Sequence, residues 1–219
     1  MTEDAVPEVS APAGVPRTSR VRAVVIATLG VAVNGVVVGG VWAFIAPPIR
    51  AVVAITRSGE RVHDYLGAES AHFFDAPCML LGLLTALAVV GAVLVWQWRE
   101  HRGPGMVIGL SIGMAIAAAA ASATGAGLVR WSYGALHFDA VPLSGKPSVA
   151  YVIQAPPVFL SQGPLQVAMT LMWPAAVAAL VYALLAAADA RDDLGAVPLA
   201  AQPAHPLPME PEAPEAAVS

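Results

Sequence analysis

Residues 105–129 decide the fold, and they read GMVIGLSIGMAIAAAAASATGAGLV. The run contains no Asp, Glu, Lys or Arg. A helix needs about 20 apolar residues to cross the roughly 30 Å of hydrocarbon in a bilayer. Because lipid offers no hydrogen-bonding partners, the backbone of such a segment has to pair with itself. The run therefore predicts a membrane-spanning α-helix.

Three further runs have the same character, and none carries a charged residue in its central part. The chain is 58% hydrophobic and 12% charged, whereas soluble domains average about 45–50% apolar and about 25% charged residues. Its mean hydropathy is +0.70. We predict an all-α membrane protein, a four-transmembrane-helix bundle over residues 21–188. Its spans are residues 21–46, 76–98, 105–129 and 165–188.

Small residues recur every fourth position along the third span. They are Gly105, Gly109, Gly113, Ala117, Ala121 and Gly125. The first span offers Gly35 and Gly39 at the same spacing, and small residues let two helices approach closely in lipid. These residues predict a helix-packing face, either inside the bundle, which we favour, or against a second copy or another membrane protein. Asn34 is expected to form a hydrogen bond across helices.

The link between the second and third spans is only six residues long, 99–104, so we predict that these helices are antiparallel neighbours. Basic residues lie closer to the helix ends on the side that holds both termini, which favours cytoplasmic termini in the plasma membrane. Residues 1–20 and the acidic, Pro/Ala-rich residues 189–219 are predicted to be disordered tails. Loops 47–75 and 130–164 are then extracytoplasmic.

The first of these loops has the pattern of a β-hairpin that turns at Ser58-Gly59 and pairs Ile55 with Val62. Residues 149–153 of the other loop could supply a third strand. An isolated hairpin is marginal in water. We therefore expect a small extracytoplasmic β-hairpin layer on the bundle, with Asp75 as the cap of the second helix.

Polar side chains that could carry chemistry are sparse. Glu69, His72 and Asp75 follow one another at three-residue spacing and could bind a divalent cation, but we favour ordinary loop residues and expect no metal or other cofactor. The chain lacks a Walker loop, GxGxxG and GxSxG. Its spans lack the buried ionisable groups of pumps and transporters. We predict that the protein is not an enzyme.

Several short motifs resemble an actinobacterial family of small four-span membrane proteins that is classed as a domain of unknown function. They are GGVWAFIAPPIR at 39–50, SGE at 58–60, HFFDAP at 72–77, WRxHRGPG at 98–105 and WPAA at 173–176. The resemblance covers about residues 21–188. It implies a plasma-membrane location and supplies no activity, ligand or catalytic residue.

The sequence thus predicts a non-enzymatic accessory or interaction protein of the cell envelope. Its expected partners are the lipid bilayer and a second copy or another membrane protein. Nucleic acid is excluded because no stripe of clustered Lys and Arg is present. Two alternatives stay open, an extracytoplasmic ligand or metal sensor and a passive small-solute transporter.

Overall fold

The computed structural model describes residues 19–145 and 148–189. Nearly all of the two predicted disordered tails therefore lies outside the described residues. Four helices form the bundle: α1 (Arg20–Ile45), α2 (His72–Gln97), α3 (Pro104–Tyr133) and α4 (Pro164–Ala188). Each is long and apolar enough to cross a membrane. The four predicted helices are thus confirmed. A small sheet is also present, with two strands between α1 and α2 and one strand between α3 and α4 in the sequence.

The helices follow the order α1, α3, α4, α2 around the bundle. α1 packs along α3, and α4 contacts both α3 and α2, whereas α2 and α3 touch little. The prediction that α2 and α3 are neighbours is therefore wrong, because they lie across the diagonal. Their six-residue link, which contains a 3₁₀ turn at Arg99–His101, is long enough for this, since six residues reach up to about 20 Å.

The bundle is apolar on the outside as well as the inside. Leu80, Leu84, Leu110 and Met114 are fully buried between the helices. Large aliphatic side chains on the outward faces are exposed on all four helices, and they include Val33, Val90, Ile112 and Leu184. Apolar patches larger than a few hundred Å² are rare on soluble monomers, so this surface suits lipid better than water.

The start of α2 differs from the prediction. The helix begins at His72, directly after a 3₁₀ turn at Glu69–Ala71. Asp75 therefore lies in the first helical turn and does not cap the helix, whose N-cap position is Ala71. A carboxylate in the first turn still interacts favourably with the positive end of the helix dipole.

The sheet has three antiparallel strands in the order β2-β1-β3, with β1 (Ile49–Ile55) in the centre. β2 (Arg61–Tyr65) completes the predicted hairpin, and β3 (Ser148–Gln154) confirms the predicted third strand. The hairpin register is shifted by one residue.

Ile55 pairs with Arg61 and not with Val62. The cause is the turn, where Gly59 takes a positive φ of 89° and its N–H donates to the Thr56 carbonyl (3.0 Å). The Thr56 N–H in turn donates to the Glu60 carbonyl (2.9 Å). This is a three-residue loop with a glycine bulge, which shifts the pairing relative to a two-residue turn.

Candidate functional site

The closest helix contact is the α1–α3 seam, formed by Gly35 and Gly39 of α1 and Ala117 and Ala121 of α3. A Cβ atom on Gly35 would collide with the carbonyl oxygen of Ala117, and one on Gly39 with the carbonyl oxygen of Ala121. The two backbones are therefore in direct contact, which only glycine permits at these two positions of α1.

Above and below this contact, other residues of the same face of α3 also meet α1. The Thr28 hydroxyl lies 2.9 Å from the Gly109 carbonyl oxygen across the helices and 2.9 Å from the Val24 carbonyl oxygen of its own helix, and its one hydrogen is shared between them. A Cβ on Gly113 would lie 2.8 Å from the Thr28 carbonyl oxygen, and one on Gly125 would lie 2.6 Å from the Trp42 ring. α1 thus occupies the small-residue face of α3, which leaves it closed to a second copy.

Gly105 is the exception on this face. It is exposed, and a Cβ there would meet nothing within 4 Å. It belongs to the start of α3, before the two helices come together.

Asn34 points away from the seam. It is exposed, and its Nδ2 donates to the Gly30 carbonyl of its own helix (2.7 Å). The predicted hydrogen bond across helices is therefore wrong. The reason is geometric, because each residue turns a helix by about 100° and Asn34 directly precedes the seam residue Gly35.

The three candidate metal ligands do not come together. Glu69 accepts the Arg50 backbone N–H (3.0 Å) and lies 3.1 Å from His72 Nδ1. That nitrogen is also 2.9 Å from the Pro48 carbonyl oxygen. Since both of its neighbours are acceptors, Nδ1 carries the hydrogen. These bonds fasten the turn before α2 to the start of β1.

Asp75 lies outside this arrangement and is exposed. Within residues 19–145 and 148–189, no group of three or more His, Cys, Asp or Glu side chains is placed to hold a metal ion. The candidate set of the sequence analysis therefore lacks the geometry of a site.

A second polar arrangement, the link cluster, lies at the opposite end of the bundle and consists of Trp96, Arg102, Tyr182 and Asp189. Arg102 Nη1 pairs with Asp189 Oδ2 (3.0 Å), and the Arg102 side chain is only 6% exposed. Its Nε donates to the Trp96 carbonyl (2.9 Å), and its guanidinium lies 4.0 Å from the centre of the Trp96 ring.

Tyr182 completes the link cluster. Its ring packs edge-on against Trp96 at 5.1 Å, and its hydroxyl accepts the Gly103 N–H (3.2 Å). The cluster ties the α2–α3 link to the end of α4. Sequence reasoning missed it because Arg102 and Asp189 are 87 residues apart, and no local pattern joins them.

The sheet has one covered and one uncovered face. Ile49, Ala51 and Val53 on the inner face are fully buried. The segment around Phe138 covers this face, since Arg61 donates to the carbonyls of Phe138 (2.9 Å) and Val141 (3.0 Å). His63 also stacks on Phe138, with the ring centres 4.3 Å apart.

The opposite side, the outer sheet face, is mostly apolar and open. The strand register places six apolar residues there, namely Val52, Ala54, Val62, Val149, Tyr151 and Ile153. Two charged residues share the face, since Arg50 is paired with Ile153 and Asp64 with Val52. Exposure reaches 58% for Val149, 75% for Tyr151 and 49% for Ile153, all on the edge strand β3. This face and the free edge of β3 form the candidate interaction surface.

The arrangement of the described residues defines a class of protein: four helices able to cross a membrane, with a small sheet at the end opposite the start of α1 and the end of α4. Residues 31–196 match the family described as "Protein of unknown function (DUF2567)", and the chain belongs to this family. This confirms the resemblance stated above, which was to an actinobacterial family.

The chain is also similar to uncharacterized proteins of mycobacteria, which are actinobacteria. The chain is 62% identical over 192 residues to Uncharacterized protein Rv1591 of Mycobacterium tuberculosis, which covers 87% of this chain and 100% of that protein. It is also 62% identical over 195 residues to Uncharacterized protein ML1222 of Mycobacterium leprae, which covers 89% of this chain and 97% of that protein. No solved structure gives a significant match.

Proposed function

We propose that this chain is an integral protein of the plasma membrane without enzymatic activity, which acts through protein contacts. It holds the outer sheet face at the extracytoplasmic surface and presents it to a protein partner, as an accessory protein of the cell envelope. The observation that carries this proposal is the open, mostly apolar sheet surface with an uncharged edge strand.

Membrane insertion is supported by the outward surface of the bundle. Aliphatic side chains cover it, and aromatic side chains mark its ends. Phe44, Phe74 and Trp131 are exposed at the sheet end, while Trp96 and Trp98 lie at the link end. Aromatic residues favour the two membrane–water interfaces, so the pair of belts fits a bilayer between them.

The orientation is supported by the basic residues at the link end. Arg20, Arg22 and Arg99 lie beside helix ends there, on the side where α1 begins and α4 ends. Cytoplasmic flanks of membrane helices carry an excess of Lys and Arg. Both termini are therefore proposed to be cytoplasmic, which puts the sheet outside.

A protein partner is supported by the chemistry of β3. Its sequence, SVAYVIQ, contains neither a charge nor a proline, the usual means by which proteins protect an edge strand from pairing. An extended partner segment could add to this edge as a fourth strand, with main-chain hydrogen bonds supplying affinity and alternate side chains supplying specificity. Glu69 and His72, two of the polar residues singled out by sequence, are engaged in fastening the turn before α2 to the start of β1.

The test uses a photo-crosslinking amino acid at position 151 of the full chain in living cells. We expect one discrete crosslinked protein from position 151 and none from position 99, which lies at the link end. Identical products at both positions, or none at position 151, would contradict the proposal.

A matched pair of substitutions locates the contact. Tyr151→Lys puts a charge beside the β3 edge and is expected to reduce crosslinking from a probe at position 149 by about 10-fold or more, since a desolvated charge costs several kcal/mol. Val62→Lys, on the β2 side of the same face, should reduce it much less. Equal losses would show that the partner covers the face and does not pair with the edge.

A further inference from the structure

The amide of Asn34 is exposed near the middle of α1. Its Nδ2 forms one hydrogen bond, to the Gly30 carbonyl. Among residues 19–145 and 148–189, no hydrogen bond reaches its Oδ1. After Thr28, the only polar side chains of α1 are Asn34 and Trp42, and the Trp42 indole N–H donates to the Ala76 carbonyl.

Such a position is unfavourable in a bilayer. Given the membrane insertion proposed above, on which this inference rests, the Asn34 amide faces hydrocarbon with an unused acceptor and an unused N–H. A polar group that lacks a hydrogen bond in an apolar medium costs several kcal/mol. The amide therefore favours association with another helix that offers a matching group at the same depth.

The residues around Asn34 form a stripe with coiled-coil spacing. Gly30, Asn34, Val37, Val41 and Phe44 follow one another at intervals of four, three, four and three residues, and all are exposed. This is the alternation of a left-handed helix pair, in which a single central Asn specifies register. Gly30 leaves room beside the amide, since a Cβ there would meet nothing within 4 Å.

We infer that α1 pairs with α1 of a second copy along this stripe, which we call the α1 dimer stripe, through reciprocal hydrogen bonds between the two Asn34 amides. Two copies inserted with the same topology have parallel α1 helices, so their Asn34 residues lie at the same depth. An amide is both donor and acceptor, which makes it complementary to itself across a two-fold axis.

A second copy is therefore the one occupant that brings a matching polar group to this depth without any further requirement. Lipid cannot satisfy the amide, and a different membrane protein would need its own polar residue at that level. The dimer would hold two outer sheet faces on the same side of the membrane.

Disulfide crosslinking in native membranes tests the geometry. In a Cys78→Ala background, Val41→Cys on the dimer stripe is expected to form a covalent dimer under mild oxidation. Val36→Cys, equally lipid-exposed but on the other side of the exposed face of α1, is expected to stay monomeric. Equal crosslinking at both positions, or none at position 41, would overturn the inference.

Energy transfer between labelled chains in liposomes tests the role of the amide. Asn34→Leu should weaken dimerisation about 5- to 30-fold, the equivalent of roughly 1–2 kcal/mol for a hydrogen bond between membrane helices. Asn34→Gln keeps the amide and should retain most of the affinity, and Val36→Leu should have no effect. An Asn34→Leu variant that dimerises as well as the wild type would refute the inference.

Carbonate extraction separates this result from failure of the proposed function. A chain that resists extraction but shows no self-association in liposomes removes the dimer and leaves the membrane proposal intact. Crosslinking of position 41 to a different protein would also overturn the dimer. A chain that carbonate releases removes both proposals.

Discussion

The two sides of α1 carry similar sequence and have opposite surroundings. On the inner side, Gly35 and Gly39 are four residues apart, and an added Cβ would strike the α3 backbone at either of them. On the outer side, Gly30 and Asn34 are also four residues apart. There, the space beside Gly30 is open to 4 Å, and Asn34 bonds only to its own helix.

The difference shows that small-residue spacing permits a close approach but does not reveal which face uses it. Which face is used depends on the helix that packs against it. α3 presents a row of small residues, which α1 fills along its inner side, while the outer side of α1 is exposed at Gly30 and Asn34. The same substitution should therefore change stability by different amounts on the filled and on the open side of α1.

Adding a side chain should separate the two faces most strongly. Gly35→Val forces a branched side chain onto the Ala117 carbonyl, which is backbone and cannot move aside. We expect destabilisation at or above the upper end of the about 1–3 kcal/mol of ordinary overpacking. Gly30→Val, in open space, should change the free energy of unfolding by less than about 1 kcal/mol, since valine is a better helix former than glycine.

Unfolding of the purified protein in mixed micelles, at a dilution where the chain is monomeric, measures both variants. Equal losses at positions 30 and 35 would mean that the α1–α3 seam is not the tight contact described here.

The ion pairs at the two ends of the molecule also differ in exposure, since Arg102 is buried and Arg50 is exposed. Arg102→Ala removes a side chain that is 6% exposed from its contact with Asp189, which is 22% exposed. We expect a loss of about 2–3 kcal/mol, slightly below the 3–5 kcal/mol of fully buried pairs. Arg50 is 65% exposed beside Glu69, so Arg50→Ala should cost no more than about 1 kcal/mol.

Arg102→Lys provides the control. It keeps the charge but loses the planar group that stacks on Trp96 and bonds its carbonyl, so an intermediate loss is expected. If both alanine variants unfold alike, the link cluster contributes no more than a surface ion pair.

The helices could be predicted from sequence because the lipid solvent imposes one requirement on every long apolar run. The third strand followed from its β-branched and aromatic residues. These signals are local, so they need no knowledge of the partner. The predicted hairpin register was wrong because the turn takes three residues, with Gly59 in the left-handed region. The motif Ser-Gly fits a two-residue turn equally well.

The candidate site was harder to predict because it depends on contacts between distant segments. Nothing in the sequence around Asn34 shows that it faces outward, since this depends on which side of α1 binds α3. The link cluster joins residues from α2, the link and α4. A six-residue link suggested adjacent helices, but the face of α3 that fits α1 places α2 across the diagonal.

The smallest expected effect concerns Thr28 and Asn34, which lie on the inner and outer sides of α1. Thr28→Val removes the hydroxyl that is shared between the Gly109 and Val24 carbonyls (2.9 Å each) while keeping the shape of the side chain. Such bonds contribute about 0.6 kcal/mol on average and at most about 1.7, and unfolding in micelles should show a loss in this range. Thr28→Ser, which keeps the hydroxyl, should retain the bond. Asn34→Val should leave the stability of the monomer unchanged within a few tenths of a kcal/mol, because Asn34 is exposed and hydrogen-bonds to its own helix, and it should weaken only self-association. A monomer that loses more stability from Asn34→Val than from Thr28→Val would place the amide inside the bundle and reverse the assignment of the two faces.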